Sequence, residues 1–121
     1  MIYFGPIEDC PDDIKEIWFA VRSLKPYTPI LGITYMHVPE LSPNLNLFFE
    51  TQRQKKNCKF TQEWFDTVYA PIFIEQIRND AQAQEKLAEL HNATNDIYVA
   101  CYCRRKSLCH TSLLEKIYNE K

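Results

Sequence analysis

The chain has 121 residues, of which 14 are basic and 16 acidic, so its formal net charge is −2. A chain of this length predicts one domain, because it cannot hold two independent hydrophobic cores. The slight acidic excess argues against a dedicated nucleic-acid-binding protein, which needs a basic surface to meet phosphates. Two glycines in all exclude the clustered glycines of a phosphate-binding loop or a dinucleotide fingerprint.

Five cysteines raise the question of where the protein works and what the thiols do. No apolar run reaches the roughly 20 residues that span a bilayer, and residues 1–10 lack the basic start and long apolar segment of a secretion signal. We therefore expect a cytoplasmic protein without membrane contact, in which the cysteines stay reduced. An odd number cannot pair completely within one chain, which leaves free thiols or metal ligands.

The first part of the chain predicts three short strands. Residues 2–4 are β-prone and are followed by a Gly-Pro turn. Residues 17–21 form an apolar run that fits a strand buried on both faces, although the apolar spacing around it also fits a helix. Two prolines then break regular structure, and residues 30–35 fit a third strand.

The middle of the chain predicts helices. Ser42 followed by Pro43 is typical of a helix start with proline at the first helical position. Thr61 has a side chain suited to capping a second helix, which Pro71 should end or kink. Strong helix formers then continue as far as His91.

The last part of the chain predicts the clearest strand, residues 97–102, and the clearest terminal helix, residues 112–119. Strands that alternate with helices indicate an α/β fold with a mostly parallel central sheet flanked by helices. Because ligands bind at the carboxyl ends of the strands in such sheets, the intervening loop, residues 103–111, is the predicted site.

This loop has the composition of an anion-binding site. Arg104, Arg105 and Lys106 bring three positive charges, and the helix that follows offers free backbone N–H groups and the positive end of its dipole. Thr111 and Ser112 add hydroxyl groups near the helix start. Basic side chains that are merely solvated on a surface loop would explain the same pattern.

A further basic residue, Arg22, is expected at the same edge of the sheet. Arg22 and Ser23 follow the predicted strand 17–21, and the carboxyl ends of parallel strands lie side by side. We therefore predict a pocket for a phosphate-like or nucleotide-like anion between Arg22 and the helix start, where Cys109 and His110 also lie.

Three cysteines and a histidine lie close together in this segment, which suggests a zinc site. They are Cys101, Cys103, Cys109 and His110. Structural zinc sites usually separate paired cysteines by about two to four residues, so that one turn directs both thiolates inward. The single residue between Cys101 and Cys103, and the adjacency of Cys109 and His110, depart from that spacing. We predict no metal and no cofactor; buried cysteines are most simply small core residues.

A cysteine nucleophile is a further possibility that the residues leave open. A thiol near arginines at a helix N-terminus has a lowered pKa, which makes Cys103 or Cys109 the candidate nucleophile and His110 the candidate base. The Cys-x5-Arg loop of phosphatases is absent, because Ser107 follows Cys101, and Cys109 follows Cys103, at the position of the arginine.

Several motifs in order resemble the domain-of-unknown-function 488 family. They are VRSLKP after a strand, PELSPNLNLFF at a helix start, WFDTVYAPIF in an aromatic helix, and IYVACYCRRKSLCHTSLLEKIY from strand to helix. The resemblance extends from about Trp18 to Tyr118. It implies a compact α/β domain with a central sheet flanked by helices, and no established activity.

The residues of this chain that match the family pattern are Arg22, Pro43, Tyr69, Cys101, Cys109, His110 and Ser112. Two positions depart from that pattern. Thr111 stands where many members carry an arginine, and Asn44 replaces the usual serine. The resemblance therefore implies an anion clamp at the helix start only if Arg104 or Arg105 takes the place of the missing arginine.

These observations support three hypotheses about function. The first is a domain that binds an anionic small molecule at the carboxyl edge of its sheet. The second is a phage or mobile-element accessory protein that acts on a protein partner, which the small size, the many tyrosines and the basic segment 51–59 would fit. The third is a cysteine-dependent enzyme of unknown reaction. The sequence predicts no particular oligomeric state.

Overall fold

Four short strands form one parallel sheet in the computed structural model, which describes residues 1–120. They are β1 (Ile2–Pro6), β2 (Glu16–Phe19), β3 (Thr34–His37) and β4 (Ile97–Cys101), and they lie in the order β1-β4-β2-β3. All five residues of β4 are buried between its two neighbours. Its uninterrupted apolar sequence is the composition that a strand covered on both faces requires. The predicted α/β class with a parallel sheet is confirmed.

Five α-helices occur within the described residues: α1 (Leu45–Lys56), α2 (Gln62–Trp64), α3 (Ala70–Asn79), α4 (Ala81–His91) and α5 (His110–Asn119). None of them is long and apolar enough to cross a membrane. Thr61 caps α2 as predicted, since its hydroxyl accepts the backbone N–H of Trp64 at 3.1 Å.

The helix that Thr61 starts does not end at Pro71. A π-helical turn, Phe65–Tyr69, connects α2 to α3, and Pro71 lies in the first turn of α3. The backbone N–H of Ala70 bonds back to the carbonyl of Phe65, so the helix continues up to Pro71, which has no N–H of its own to donate. The residues around Pro71 therefore change from π-helical to α-helical instead of leaving the helix.

The predicted start of the first helix is wrong by two residues. Asn44 caps α1, with its side-chain oxygen accepting the backbone N–H of Leu47 at 2.9 Å. The Ser42 hydroxyl instead donates to the carbonyl of Pro39 at 2.6 Å, within a short 3-10 turn. Both side chains are capping types, so the sequence alone does not separate them.

Further boundaries differ from the predicted ones. β2 ends at Phe19, two residues before the end of the predicted strand 17–21. β3 begins at Thr34, because residues 24–33 form an irregular segment rather than a strand. The last helix begins at His110, two residues earlier than predicted. His110 and Thr111 are therefore held in the first turn of α5, and their side chains are buried.

The two faces of the sheet are covered differently. Phe4, Trp18 and Val99 belong to the larger hydrophobic cluster, which continues into α1, α3, α4 and α5. Phe19 and Tyr98 point to the opposite face, whose smaller cluster is completed by residues of the strands and connecting segments. Successive strand residues alternate between the two clusters, as the two-residue period requires. Cys101 therefore ends β4 facing the helices, towards the start of α5.

Candidate functional site

The carboxyl ends of β2 and β4 meet the start of α5 at one edge of the sheet. His110 joins them, because its ring nitrogen Nε2 donates to the carbonyl oxygen of Ala20, directly after β2, at 2.5 Å. The His110 ring also packs edge-on against Phe73 of α3, with 5.6 Å between the ring centres. The predicted meeting of the early strand, the late strand and the terminal helix is thus present.

Three thiols lie together at this meeting point. The Sγ atoms of Cys101, Cys103 and Cys109 are all within 4.8 Å of one another, and those of Cys101 and Cys109 are 2.7 Å apart. This distance exceeds the roughly 2.05 Å of a disulfide bond, and the cysteines are free thiols. Thr111 Oγ1 lies 3.5 Å from Cys101 Sγ. We refer to Cys101, Cys103 and Cys109 as the thiol cluster.

The cluster is assembled from two elements rather than from one turn. Cys101 ends β4 and Cys103 follows it, whereas Cys109 is the residue before α5. The spacing argument against zinc assumed that ligands must be paired by a short turn of the chain. Here the packing of a strand end against a helix start places the three sulfur atoms together. The spacing of the cysteines along the chain is therefore no argument against zinc.

Hydrogen bonds make the three thiols unequal. The pKa of Cys101 is lowered because Cys103 and Cys109 donate hydrogen bonds to its thiolate. The hydrogen bond to Cys101 raises the pKa of Cys103, and burial raises the pKa of Cys109. The neighbouring thiols therefore favour the ionised form of Cys101, which the sequence did not single out as a candidate nucleophile.

His110 is placed to accept a proton. Because its Nε2 carries the proton that is donated to Ala20, its Nδ1 has a free lone pair, and Nδ1 lies 3.6 Å from Cys109 Sγ. Burial lowers the pKa of His110, so the ring is neutral at neutral pH. A neutral imidazole that faces a thiol is the arrangement that a cysteine and a general base require.

A cleft of about 690 Å³ opens beside the thiol cluster, a size typical of pockets that take small molecules. Cys101, Cys103 and His110 contribute to its inner wall. The aromatic residues of the lining are Phe48, Phe49, Phe60, Tyr69 and Tyr102. The basic residues of the lining are Arg22, Lys25 and Lys55, and among the described residues no acidic side chain lines the cleft.

The three basic side chains of the cleft are not neutralised by partners. Within residues 1–120 none of them forms an ion pair with a carboxylate. Lys25 Nζ lies 4.9 Å from the centre of the Tyr102 ring, and Lys55 Nζ lies 5.2 Å from the centre of the Phe60 ring. Each lysine is thus held next to an aromatic face with its charge still available to a ligand.

Only some of the predicted ligand-binding residues line the cleft. Arg22 and Ser23 line the cleft together with His110. Arg104 and Arg105 are exposed on the loop after β4 and are not part of the lining.

The hydroxyl groups of Thr111 and Ser112, which were predicted to contact the ligand, lie outside the cleft. Thr111 is fully buried beside Cys101, and the Ser112 hydroxyl donates to the backbone carbonyl of Cys109 at 2.7 Å. Neither residue is part of the cleft lining. The same holds for Cys109, which is buried.

One wall of the cleft was not identified from the sequence. Helix α1 contributes Phe48, Phe49 and Lys55, whereas the sequence indicated an ordinary apolar face of a helix. Phe49 remains 62% exposed, so this aromatic residue is not core. The sequence did contain one indication of this wall. Phe48 and Lys55 are seven residues apart and therefore lie on one side of a helix.

A parallel α/β domain with a cleft at the carboxyl ends of its strands belongs to the class of folds that bind ligands at that edge. Comparison with known families narrows the class. A family model described as "Active DUF488-N3 subclade" matches residues 13–121, and the chain therefore belongs to the DUF488 family. This confirms the resemblance noted in its motifs. No curated protein and no solved structure matches the chain.

Proposed function

We propose that the protein binds a small organic anion, one that joins a phosphate or carboxylate to a flat ring as a nucleotide does, in the cleft at the carboxyl edge of the sheet. One observation carries this proposal. Within the described residues the lining contains three basic side chains and no acidic one, although the whole chain has more acidic than basic residues. The cleft therefore has a local excess of positive charge.

The position of the charges supports an anionic ligand. Arg22 follows β2, at the edge where the two central strands end, and its planar guanidinium can hold a phosphate or carboxylate through two parallel hydrogen bonds. Lys25 and Lys55 lie on the same cleft and are not paired with carboxylates within residues 1–120. A concave site lined with charges of one sign concentrates the potential and attracts the opposite charge.

The aromatic lining supports a ligand with a ring. Tyr102 and Phe60 each stand next to one lysine, so a ring stacked on either side chain would bring its charged substituent close to an ammonium group. Stacking of a base on an aromatic side chain contributes about 1–3 kcal/mol. A nucleotide-like molecule uses both features, whereas inorganic phosphate uses one.

The proposal is tested by isothermal titration calorimetry with four ribonucleoside monophosphates, the matching nucleosides and inorganic phosphate. We expect a monophosphate to bind more tightly than its nucleoside or phosphate, and its binding to weaken as salt increases. Arg22→Ala should weaken binding, while Arg78→Ala, which removes an exposed arginine paired with Glu120 on another surface, should not.

Two results would contradict the proposal. One is equal binding of a monophosphate and its nucleoside, which would remove the role of the charges. The other is the absence of binding by all four monophosphates and by a matched set of aromatic carboxylates at millimolar concentration. Equal losses in Arg22→Ala and Arg78→Ala would count against the cleft as the location.

A thiol-dependent reaction on the bound molecule is a second candidate function. It is favoured by the placement of Cys101 and Cys103 on the cleft wall and by the lone pair of His110 facing Cys109. The family description uses the word "Active". With a chelator present, we expect iodoacetamide to modify Cys101 or Cys103 faster than the exposed Cys58 at neutral pH; faster modification of Cys58 would contradict a reactive cluster.

Other expectations from the sequence stay predictions. An accessory role through a protein partner, a cytoplasmic location and the lack of a nucleic-acid partner are not tested by the residues of the cleft. The local excess of positive charge in the cleft favours anion binding over the accessory role as the first function to examine.

A further inference from the structure

We propose that the thiol cluster is a metal site in which Cys101, Cys103 and Cys109 bind one Zn²⁺ ion, with the fourth coordination position next to the cleft. The spacing of these residues in the sequence argued against a metal, and their placement in the fold argues for one. The proposal is independent of the anion proposal, because all three ligands come from the chain and no cleft ligand is needed.

The distances between the sulfur atoms suit a zinc ion. A Zn–S bond of about 2.3 Å places the sulfur atoms of a tetrahedral site roughly 3.8 Å apart. The three Sγ atoms lie within 4.8 Å of one another, and the closest pair, Cys101 and Cys109, is 2.7 Å apart. An ion enters if that pair separates by about 1 Å, a change that side-chain rotation can supply.

The ligand type selects the metal. Thiolates are soft ligands that prefer Zn²⁺ or Cu⁺, whereas Mg²⁺ and Ca²⁺ require several oxygen ligands. Within residues 1–120 the group that gathers here consists of three cysteines and no carboxylate. The nearest hydroxyl, Thr111 Oγ1 at 3.5 Å from Cys101 Sγ, can donate a hydrogen bond to a metal-bound sulfur and so help to orient it.

The position of the cluster leaves one coordination site for another molecule. Three protein ligands with an open fourth position are typical of catalytic zinc sites, whereas structural sites use four protein ligands. Cys101 and Cys103 line the cleft, so water or a cleft ligand can reach the ion. Three thiolates and Zn²⁺ leave one net negative charge, and the lining of the same cleft carries the basic side chains of Arg22 and Lys25.

Cobalt binding tests the site, because Co²⁺ occupies thiolate zinc sites and then shows an intense thiolate-to-metal absorption. The full chain, reduced and stripped with a chelator, is titrated with Co²⁺ alone. We expect one equivalent to bind with that absorption, and one equivalent of Zn²⁺ to displace it. Cys103→Ser should weaken binding by more than about 100-fold. The matched controls Cys10→Ser and Cys58→Ser, which lie outside the cluster, should bind as the unchanged chain does.

A second measurement uses the unchanged chain and does not depend on the folding of a variant. Iodoacetamide labelling is followed by mass spectrometry with Zn²⁺ or with EDTA. Cys103 is partly exposed and Cys58 is exposed. We expect Zn²⁺ to slow the labelling of Cys103 and to leave that of Cys58 unchanged.

Three results would overturn the metal site. They are the absence of Co²⁺ binding, equally tight binding by Cys103→Ser that has kept its circular dichroism spectrum, and labelling of Cys103 at the same rate with Zn²⁺ and with EDTA.

Discussion

The two walls of the cleft are built in opposite ways. The buried wall, formed by Cys101 and His110, is almost inaccessible to solvent, and the His110 ring is hydrogen-bonded to the backbone carbonyl of Ala20. The open wall, formed by residues 22–25 and α1, carries basic side chains and an aromatic residue, Phe49, that stays 62% exposed. Groups suited to chemistry are thus held by packing, while groups suited to ligand contact remain free to adapt.

This difference determines what a substitution on each wall should change. Side chains of the buried wall contribute to stability as well as to the site, because their removal leaves cavities or unpaired polar groups. Side chains of the open wall contribute little to stability, because exposed residues without special contacts seldom alter it. This difference between the walls is contradicted if substitutions on both walls change the free energy of unfolding and the affinity for the ligand in the same way.

The largest effect is expected from His110→Ala. The substitution removes a buried ring that packs on Phe73 and leaves the Ala20 carbonyl without its hydrogen bond. We expect the free energy of unfolding to fall by about 2–4 kcal/mol, measured by urea denaturation. The exposed His91 is the control, and His91→Ala should cost less than about 1 kcal/mol through lost stacking on Tyr118. Equal losses of stability in the two variants would contradict a special structural role of the buried wall.

A smaller effect of a different kind is expected from Arg22→Ala. We expect the affinity for a ribonucleoside monophosphate to fall about tenfold, equivalent to about 1.4 kcal/mol, because an unpaired guanidinium of the open wall is lost. The free energy of unfolding should change by less than about 0.5 kcal/mol. Calorimetric titration and urea denaturation of the same preparation measure both. A large loss of stability would place Arg22 with the buried wall.

Thr111→Val examines the packing behind the buried wall without leaving a large cavity. The hydroxyl beside Cys101 is removed while the shape of the side chain is kept. We expect a loss of about 1 kcal/mol in the free energy of unfolding, with the affinity for the monophosphate unchanged. An altered affinity with unchanged stability would mean that this hydroxyl acts on the ligand rather than on the cluster.

The smallest effect is expected from Arg104→Ala and Arg105→Ala. Both side chains are exposed and lie outside the lining of the cleft, so each variant should bind the monophosphate within about twofold of the unchanged chain, a difference of about 0.4 kcal/mol. The sequence alone predicted these arginines as anion ligands. A loss in either variant as large as that in Arg22→Ala would restore that prediction and move the site towards the loop.

The features that were predicted correctly depend on local patterns. The apolar runs of β2 and β4 are buried on both faces of the sheet, and their prediction requires nothing beyond the composition of such strands. The Thr61 cap is a contact between residues three positions apart. The start of α1 was placed wrongly because Ser42 and Asn44 are equally good caps, and the contacts of Ser42 with the preceding turn decide between them.

Local order in the sequence was therefore sufficient for the α/β class, for the strand ends that carry Arg22 and Cys101, and for the helix that begins near Cys109. The association of Cys103 with Cys109, and of α1 with the residues after β2, depends on packing between segments that are distant in the chain. Such contacts follow from how whole hydrophobic faces fit together, and no spacing of residues along the chain encodes them. For that reason the meeting of the ends of β2 and β4 with the start of α5 was predicted from the sequence, whereas the three-thiol cluster and the aromatic wall became visible only in the folded protein.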